Sequence, residues 1–220
     1  MIGAVLKRET SLTFRNLAEV ATQLLFALLI TMLFPLALGG EPGMLAKLAP
    51  GLLTLALLLS CFLGFERLFS GDFEEGSLDI IAQSKLPLPL YALIKTLARW
   101  VGYALPLIII SPLLAFMLGM AATKLTGLTL ALLLASLALY LAGMAAGALT
   151  LGARRGFLLP LLLGPLCLPV LVFCVALAEN GLDEAAGRQA ALFLGSLCFF
   201  YLCLFTPLTG AALKSAVESA

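Results

Sequence analysis

Six stretches of this chain carry no charged side chain, at 20–40, 48–65, 100–123, 125–153, 156–178 and 189–213, and they run from 18 to 29 residues. A helix rising about 1.5 Å per residue needs ~20 residues to cross the hydrocarbon of a bilayer. Inside that hydrocarbon, only a helix pairs all its backbone groups within one such segment. The pattern predicts an all-α membrane protein with six transmembrane helices, the 48–65 stretch being the shortest. Composition agrees, with 62% of residues hydrophobic, 11% charged and a mean hydropathy of +1.13. Soluble domains carry about a quarter charged residues, and a soluble chain this apolar would turn large greasy patches towards water.

The basic residues set an orientation. With the N-terminus in the cytoplasm, Lys7, Arg8, Arg15, Arg67, Lys85, Lys95, Arg99, Arg154, Arg155 and Lys214 lie inside, and only Lys47, Lys124 and Arg188 lie outside. This asymmetry follows the positive-inside rule and predicts cytoplasmic N- and C-termini. A cleaved signal peptide is not expected, because the first apolar stretch is long and follows a patterned segment. In that segment Arg8, Ser11, Arg15 and Glu19 share one helical face, with Ile2, Val5, Leu6 and Leu17 opposite. The pattern predicts an interfacial helix over 1–19, a frayed tail being the competing reading. The outside loops, at 41–47, around Lys124 and at 179–188, are too short for a receptor domain, so 1–220 reads as one transmembrane domain. No GxxxxGK[ST] phosphate loop occurs, so the energy for any work comes from another chain.

Several chemistries are excluded. The chain has no histidine, which removes His-based acid–base catalysis, His-containing triads and histidine ligation of metals or haem. A net charge of +1 does not make the concentrated basic surface that nucleic acid requires. Cys61, Cys167, Cys174, Cys198 and Cys203 sit in apolar runs without a CxxC pair, and read as small buried hydrophobes rather than a metal or redox site. No charge falls in the middle of a span, which counts against an ion-coupled carrier. No residues group into a catalytic site for an intramembrane enzyme.

The one sizeable polar connection on the inside runs over 66–99 and holds five acidic residues, Glu66, Asp72, Glu74, Glu75 and Asp79. Ser77 reads as the N-cap of a short helix, with Asp79 in its first turn. Leu78, Ile81 and Ala82 form an apolar stripe. Pro87 stops that helix and Pro89 stiffens the return to the membrane. Helix resumes from Tyr91 to Arg99, placing Lys95 and Arg99 one turn apart at the interface. A short amphipathic helix held between two spans suits insertion into a groove on a cytoplasmic partner, which would pass its movement to the bundle. An ordinary solvated loop is the competing reading.

These same residues carry a resemblance. Phe65-Glu66-Arg67-Leu68-Phe69, then Asp72-Phe73-Glu74-Glu75-Gly76-Ser77-Leu78, then Leu86-Pro87-Leu88-Pro89 resemble the signature loop of the haem exporter protein B (CcmB) family. Leu105-Pro106-Leu107, Ser111-Pro112-Leu113-Leu114-Ala115, Arg154-Arg155-Gly156 and Pro165-Leu166-Cys167-Leu168-Pro169-Val170-Leu171-Val172-Phe173 extend it in order along nearly the whole chain. Cys174 departs from the family pattern, where glycine is expected. The resemblance implies a non-catalytic permease subunit of an ABC-type complex for cytochrome c maturation in the bacterial inner membrane. It further implies an ATPase partner (CcmA-like) that binds ATP, CcmC-like and CcmD-like membrane partners, and a CcmE-like haem chaperone. Two copies of this chain are expected in the complex, with haem as cargo and no cofactor or metal bound by the chain itself. On this reading Asp72, Phe73, Glu74, Glu75, Gly76, Leu78 and Ile81 meet the ATPase. Glu66, Arg67, Pro87, Pro89, Arg154 and Arg155 support the coupling structure. An ABC permease for an unrelated lipid or drug, or a membrane scaffold that transports nothing, are the alternatives.

Three membrane features stay open at this stage. Gly143 and Gly147 form a GxxxG pair that serves either a subunit interface or packing within the bundle. Pro160, Pro165 and Pro169 predict a bent and discontinuous fifth span, static packing being the alternative. Glu66 and Arg67 either pair with Arg154 or Arg155 or mark the membrane boundary.

Overall fold

The computed structural model describes residues 17–37, 39, 42–65, 67–84, 86–151 and 158–218. The expected interfacial helix lies outside them except for its last three residues, which belong to the first span; Glu66, Lys85, Arg154 and Arg155 also lie outside. The helices are α1 (Leu17–Ala37), α2 (Pro42–Phe65), α3 (Ser70–Glu74), α4 (Ser77–Ala82), α5 (Leu88–Arg99), α6 (Leu105–Met117), α7 (Leu125–Leu149), α8 (Leu158–Asn180) and α9 (Ala185–Glu218). A π turn at Trp100–Ala104 joins α5 to α6, so the two form one span. The described residues contain no strand, and six helical segments are long and apolar enough to cross a membrane.

Span boundaries differ from the uncharged stretches for local reasons. Lys47 lies within α2, exposed near its start, so this helix extends back to Pro42 and reaches full spanning length. A lysine near a helix end extends its amine towards the interface while its stem covers apolar surface. The third span starts at Leu88 and stops at Met117, before its uncharged stretch ends. Gly119, at φ +84°, ends it, and Gly119 and Met120 donate their N–H groups to the Phe116 and Ala115 carbonyls. This is the paired closure that a glycine just past a helix end permits. The π turn immediately precedes Pro106, whose ring would press on the carbonyl four residues back in an unwidened helix.

α7 runs through the centre of the bundle and packs on α2, α5, α6, α8 and α9. Its surface is mostly alanine, glycine and leucine, which lets neighbouring backbones approach closely. A Cβ at Gly143 would lie 2.6 Å from the Phe65 ring, and one at Gly147 would lie 3.1 Å from the Phe65 carbonyl. The GxxxG pair therefore seats the end of α2 within this chain's own bundle, where the Phe65 ring meets Tyr140 edge-on at 5.2 Å. At the opposite end of α7, Gly127, Gly181 and Gly187 bring three helices together. A Cβ at Gly187 would overlap the Gly181 carbonyl, and one at Gly127 would lie 2.8 Å from the Gly181 Cα.

The fifth span is one unbroken helix from Leu158 to Asn180, contrary to the discontinuity its prolines suggested. Pro160 falls in the first turn, where a missing N–H costs little, and the helix carries Pro165 and Pro169 without a break. Four buried threonine hydroxyls within the spans are satisfied locally, whereas the buried Thr206 hydroxyl has no partner among the described residues. Thr31, Thr54, Thr96 and Thr209 each donate to the carbonyl four residues back, as a hydroxyl removed from water requires.

Candidate functional site

The connection between the second and third spans is a compact two-helix elbow. Leu68 and Phe69 turn the chain out of α2 and are buried, with the Leu68 N–H on the Phe65 carbonyl. α3 ends at Glu74, and the chain turns at Gly76, whose φ of +70° favours glycine. Gly76 is the N-cap of α4; Ser77 is the first helical residue and makes no cap bond, which corrects the expected N-cap. α4 ends at Ala82, well before Pro87. There the Ser84 hydroxyl donates to the Ile81 carbonyl and accepts the Leu86 N–H. Pro87 is extended and Pro89 lies in the first turn of α5, where its missing N–H has no helical partner to lose. Gly210 of α9 admits the Pro89 ring so closely that a Cβ there would lie 2.3 Å from it.

A buried charged cluster fastens the elbow to the third span. The Asp72 carboxylate accepts hydrogen bonds from the Tyr91 hydroxyl and the Lys95 amine. Asp72 is 6% exposed and Lys95 is 4% exposed. The amine also lies 3.4 Å from the Tyr91 oxygen and 5.8 Å from the Phe69 ring centre. Lys95 thus turns into the protein and away from its surroundings. Two opposite charges taken out of water together neutralise each other, whereas either alone would be strongly disfavoured.

The expected partner-facing residues divide into two groups. Asp72 and Leu78 point inward, Leu78 being 1% exposed, and Phe73 and Ile81 pack partly against the core. Glu74, Glu75 and Asp79 point outward. Ile80, which the stripe of Leu78, Ile81 and Ala82 had passed over, is 74% exposed. The outer face of the elbow is therefore acidic with one apolar side chain among the acids.

A second polar group lies beside the elbow. The Arg67 guanidinium donates to the Glu19 carboxylate at 3.3 Å, and the Tyr103 hydroxyl donates to the other Glu19 oxygen. Arg99 stacks over the Tyr103 ring at 5.7 Å. This network ties α1, the end of α2 and the π turn together. Arg67 finds its partner in Glu19 of α1, while Arg154 and Arg155 lie outside the described residues, and Glu19 belongs to the first spanning helix. Among the described residues no cluster of histidine, cysteine, aspartate or glutamate is arranged to hold a metal.

These features define a multi-pass helical membrane protein whose second and third spans are joined by an elbow locked onto its own bundle. The model of the CcmB protein family matches residues 1–216. Heme exporter protein B of Pseudomonas aeruginosa is 41% identical over 218 residues, covering 99% of this chain and 98% of that protein. The Haemophilus influenzae protein of that name is 40% identical over 217 residues, covering 98% of each. The Escherichia coli K12 protein is 38% identical over 219 residues, covering 99% of this chain and all of its own length. The chain belongs to the CcmB family.

Proposed function

We propose that this chain is a membrane-spanning subunit of an ABC-type haem exporter for cytochrome c maturation, placed in the bacterial inner membrane with both termini in the cytoplasm. It has no ATPase machinery of its own; a CcmA-like partner binds and hydrolyses ATP and bears on the elbow. Two copies assemble with CcmC-like and CcmD-like membrane proteins, and the cycle serves haem export or release of the haem-loaded CcmE-like chaperone. The observation that carries this reading is the division of the elbow into an inner and an outer face. Asp72, Tyr91 and Lys95 make it rigid with the third span, while Glu74, Glu75, Asp79 and Ile80 offer a partner an acidic surface with an apolar peg. A lever needs both: a face to be pushed and a stiff connection to what moves. Asp72 and Leu78 act here as positioning residues, and the outward acids as contacts.

The test is coexpression of the ATPase subunit with full-length variants, reading ATPase co-purification and cytochrome c yield. Ile80→Asp and the double change Glu74→Lys/Glu75→Lys are expected to lose the ATPase and the cytochrome while the chain still inserts. Retention of both by both variants would remove the elbow from the interface. Cytochrome yield that stays normal without this chain would leave the family's build serving another cargo.

A further inference from the structure

A cleft of about 650 Å³ lies between α1, α2 and the start of α8, at the end of the bundle that carries the elbow. Its walls include Phe26, Leu59, Phe62, Leu63 and Leu159, and its size is that of sites that take small amphiphilic ligands. Within it sits the side-chain amide of Gln23, a residue only 8% exposed. Among the described residues this amide makes no hydrogen bond, although the Gln23 backbone carbonyl accepts one from Ser60. The amide occupies room that Gly64 leaves open, since a Cβ there would lie 2.8 Å from its nitrogen. The amide opens into the cleft with its donors and its acceptor unspent on the described residues, so it is free to meet a polar group of whatever occupies the cleft. Thr22, also in the lining, is satisfied by the Ala18 carbonyl.

The charged side chains that line the cleft are Glu19 and Arg67. Glu19 is shared between Arg67 and Tyr103, with Arg99 also in electrostatic reach of its carboxylate. Among the described residues of this network, two guanidinium groups face one carboxylate. Arg67 is exposed beside the opening and has donors to spare. We propose that this cleft binds an anionic phospholipid of the adjoining leaflet, its acyl chain along the apolar walls, its phosphate on Arg67 and an ester carbonyl accepting from the Gln23 amide. A porphyrin fits the lining less well. Among the described residues the cleft has no histidine, cysteine or methionine to offer an iron atom, and the Glu19 carboxylate is already engaged. A flexible acyl chain asks for no such ligand. This inference is independent of the exporter reading.

The test is native mass spectrometry of the full-length chain in mild detergent with phosphatidylglycerol or phosphatidylcholine of matched acyl chains. The wild type is expected to retain one phosphatidylglycerol in preference to phosphatidylcholine. Arg67→Gln is expected to lower that retention about fivefold, the ratio for one basic contact with an anionic lipid. Gln23→Leu is expected to lower it as well, and Leu63→Trp to abolish it by filling the cleft from its exposed wall. Thermal unfolding of each variant separates lost binding from lost fold, and a benzophenone side chain at position 63 is expected to label phosphatidylglycerol. Equal retention of the two lipids, or retention unchanged by Leu63→Trp in a folded protein, would overturn the proposal. So would displacement of the lipid by added haem, or a benzophenone adduct to residues 1–16 in place of lipid.

Discussion

Asp72 and Lys95 face each other inside the protein, one from the first helix of the elbow and the other from the first part of the third span. Their pairing joins a segment that sequence alone presents as a polar loop to a helix that crosses the membrane. Removing Asp72 alone leaves a lysine buried without its counter-charge, a loss of about 3–5 kcal/mol. Asp72→Leu combined with Lys95→Met is expected to recover most of it, because the desolvation of both charges goes with their attraction. Denaturant unfolding of the purified single and double variants measures the difference.

Leu78 and Ile80, two residues apart on α4, are expected to respond in opposite ways. Leu78→Asp puts an unpaired charge into the core and is expected to cost more than about 4 kcal/mol, seen as loss of folded protein. Ile80→Asp is expected to change stability by no more than about 0.5 kcal/mol and to act only when the ATPase is present. Thermal unfolding of both, beside the co-purification assay, separates the inner face from the outer.

Gly143→Ala drives a methyl group into the Phe65 ring. Overpacking of this kind costs about 1–3 kcal/mol. Phe65→Leu in the same chain relieves the crowding, so the double variant is expected to be more stable than the sum of its parts predicts. A cooperative cycle by unfolding in detergent checks this; strict additivity would mean that the two residues do not touch.

Glu19→Gln removes the carboxylate that Arg67 and Tyr103 share. The Arg67 side chain is 71% exposed, so its part in the pair is worth about 0–1 kcal/mol and weakens as salt is added. The expected result is a small loss of stability in low salt that shrinks in high salt. Unfolding midpoints at two ionic strengths measure it.

The spans were legible because membrane hydrocarbon admits so few alternatives. An uncharged apolar run of the right length has to be a helix, and the positions of these runs therefore carry the topology. The ends were less legible, since charge is a poor marker of where a helix stops. Lys47 rides inside α2, and Gly119 ends the third span while the sequence is still apolar. The elbow stands out in the sequence as the one long polar segment on the inside, and its two short helices follow from Gly76, Ser84 and Pro89. Its inner and outer faces were not separable from sequence. The periodicity of Leu78, Ile81 and Ala82 identifies a stripe but does not say whether the bundle or a partner covers it. The tie between Asp72 and Lys95 left no periodic trace, because it depends on how the chain folds back. Opposite charges flanking a reversal of the chain were the only hint.

Gly127, Gly181 and Gly187 have one more consequence. Where main chains touch directly, no layer of side chains remains that could repack, so α7, α8 and α9 have no slack at that extremity. Any spreading of these three helices must therefore take place as in tweezers, pinned at one tip and free to part at the other, and the free tip is the one beside the elbow.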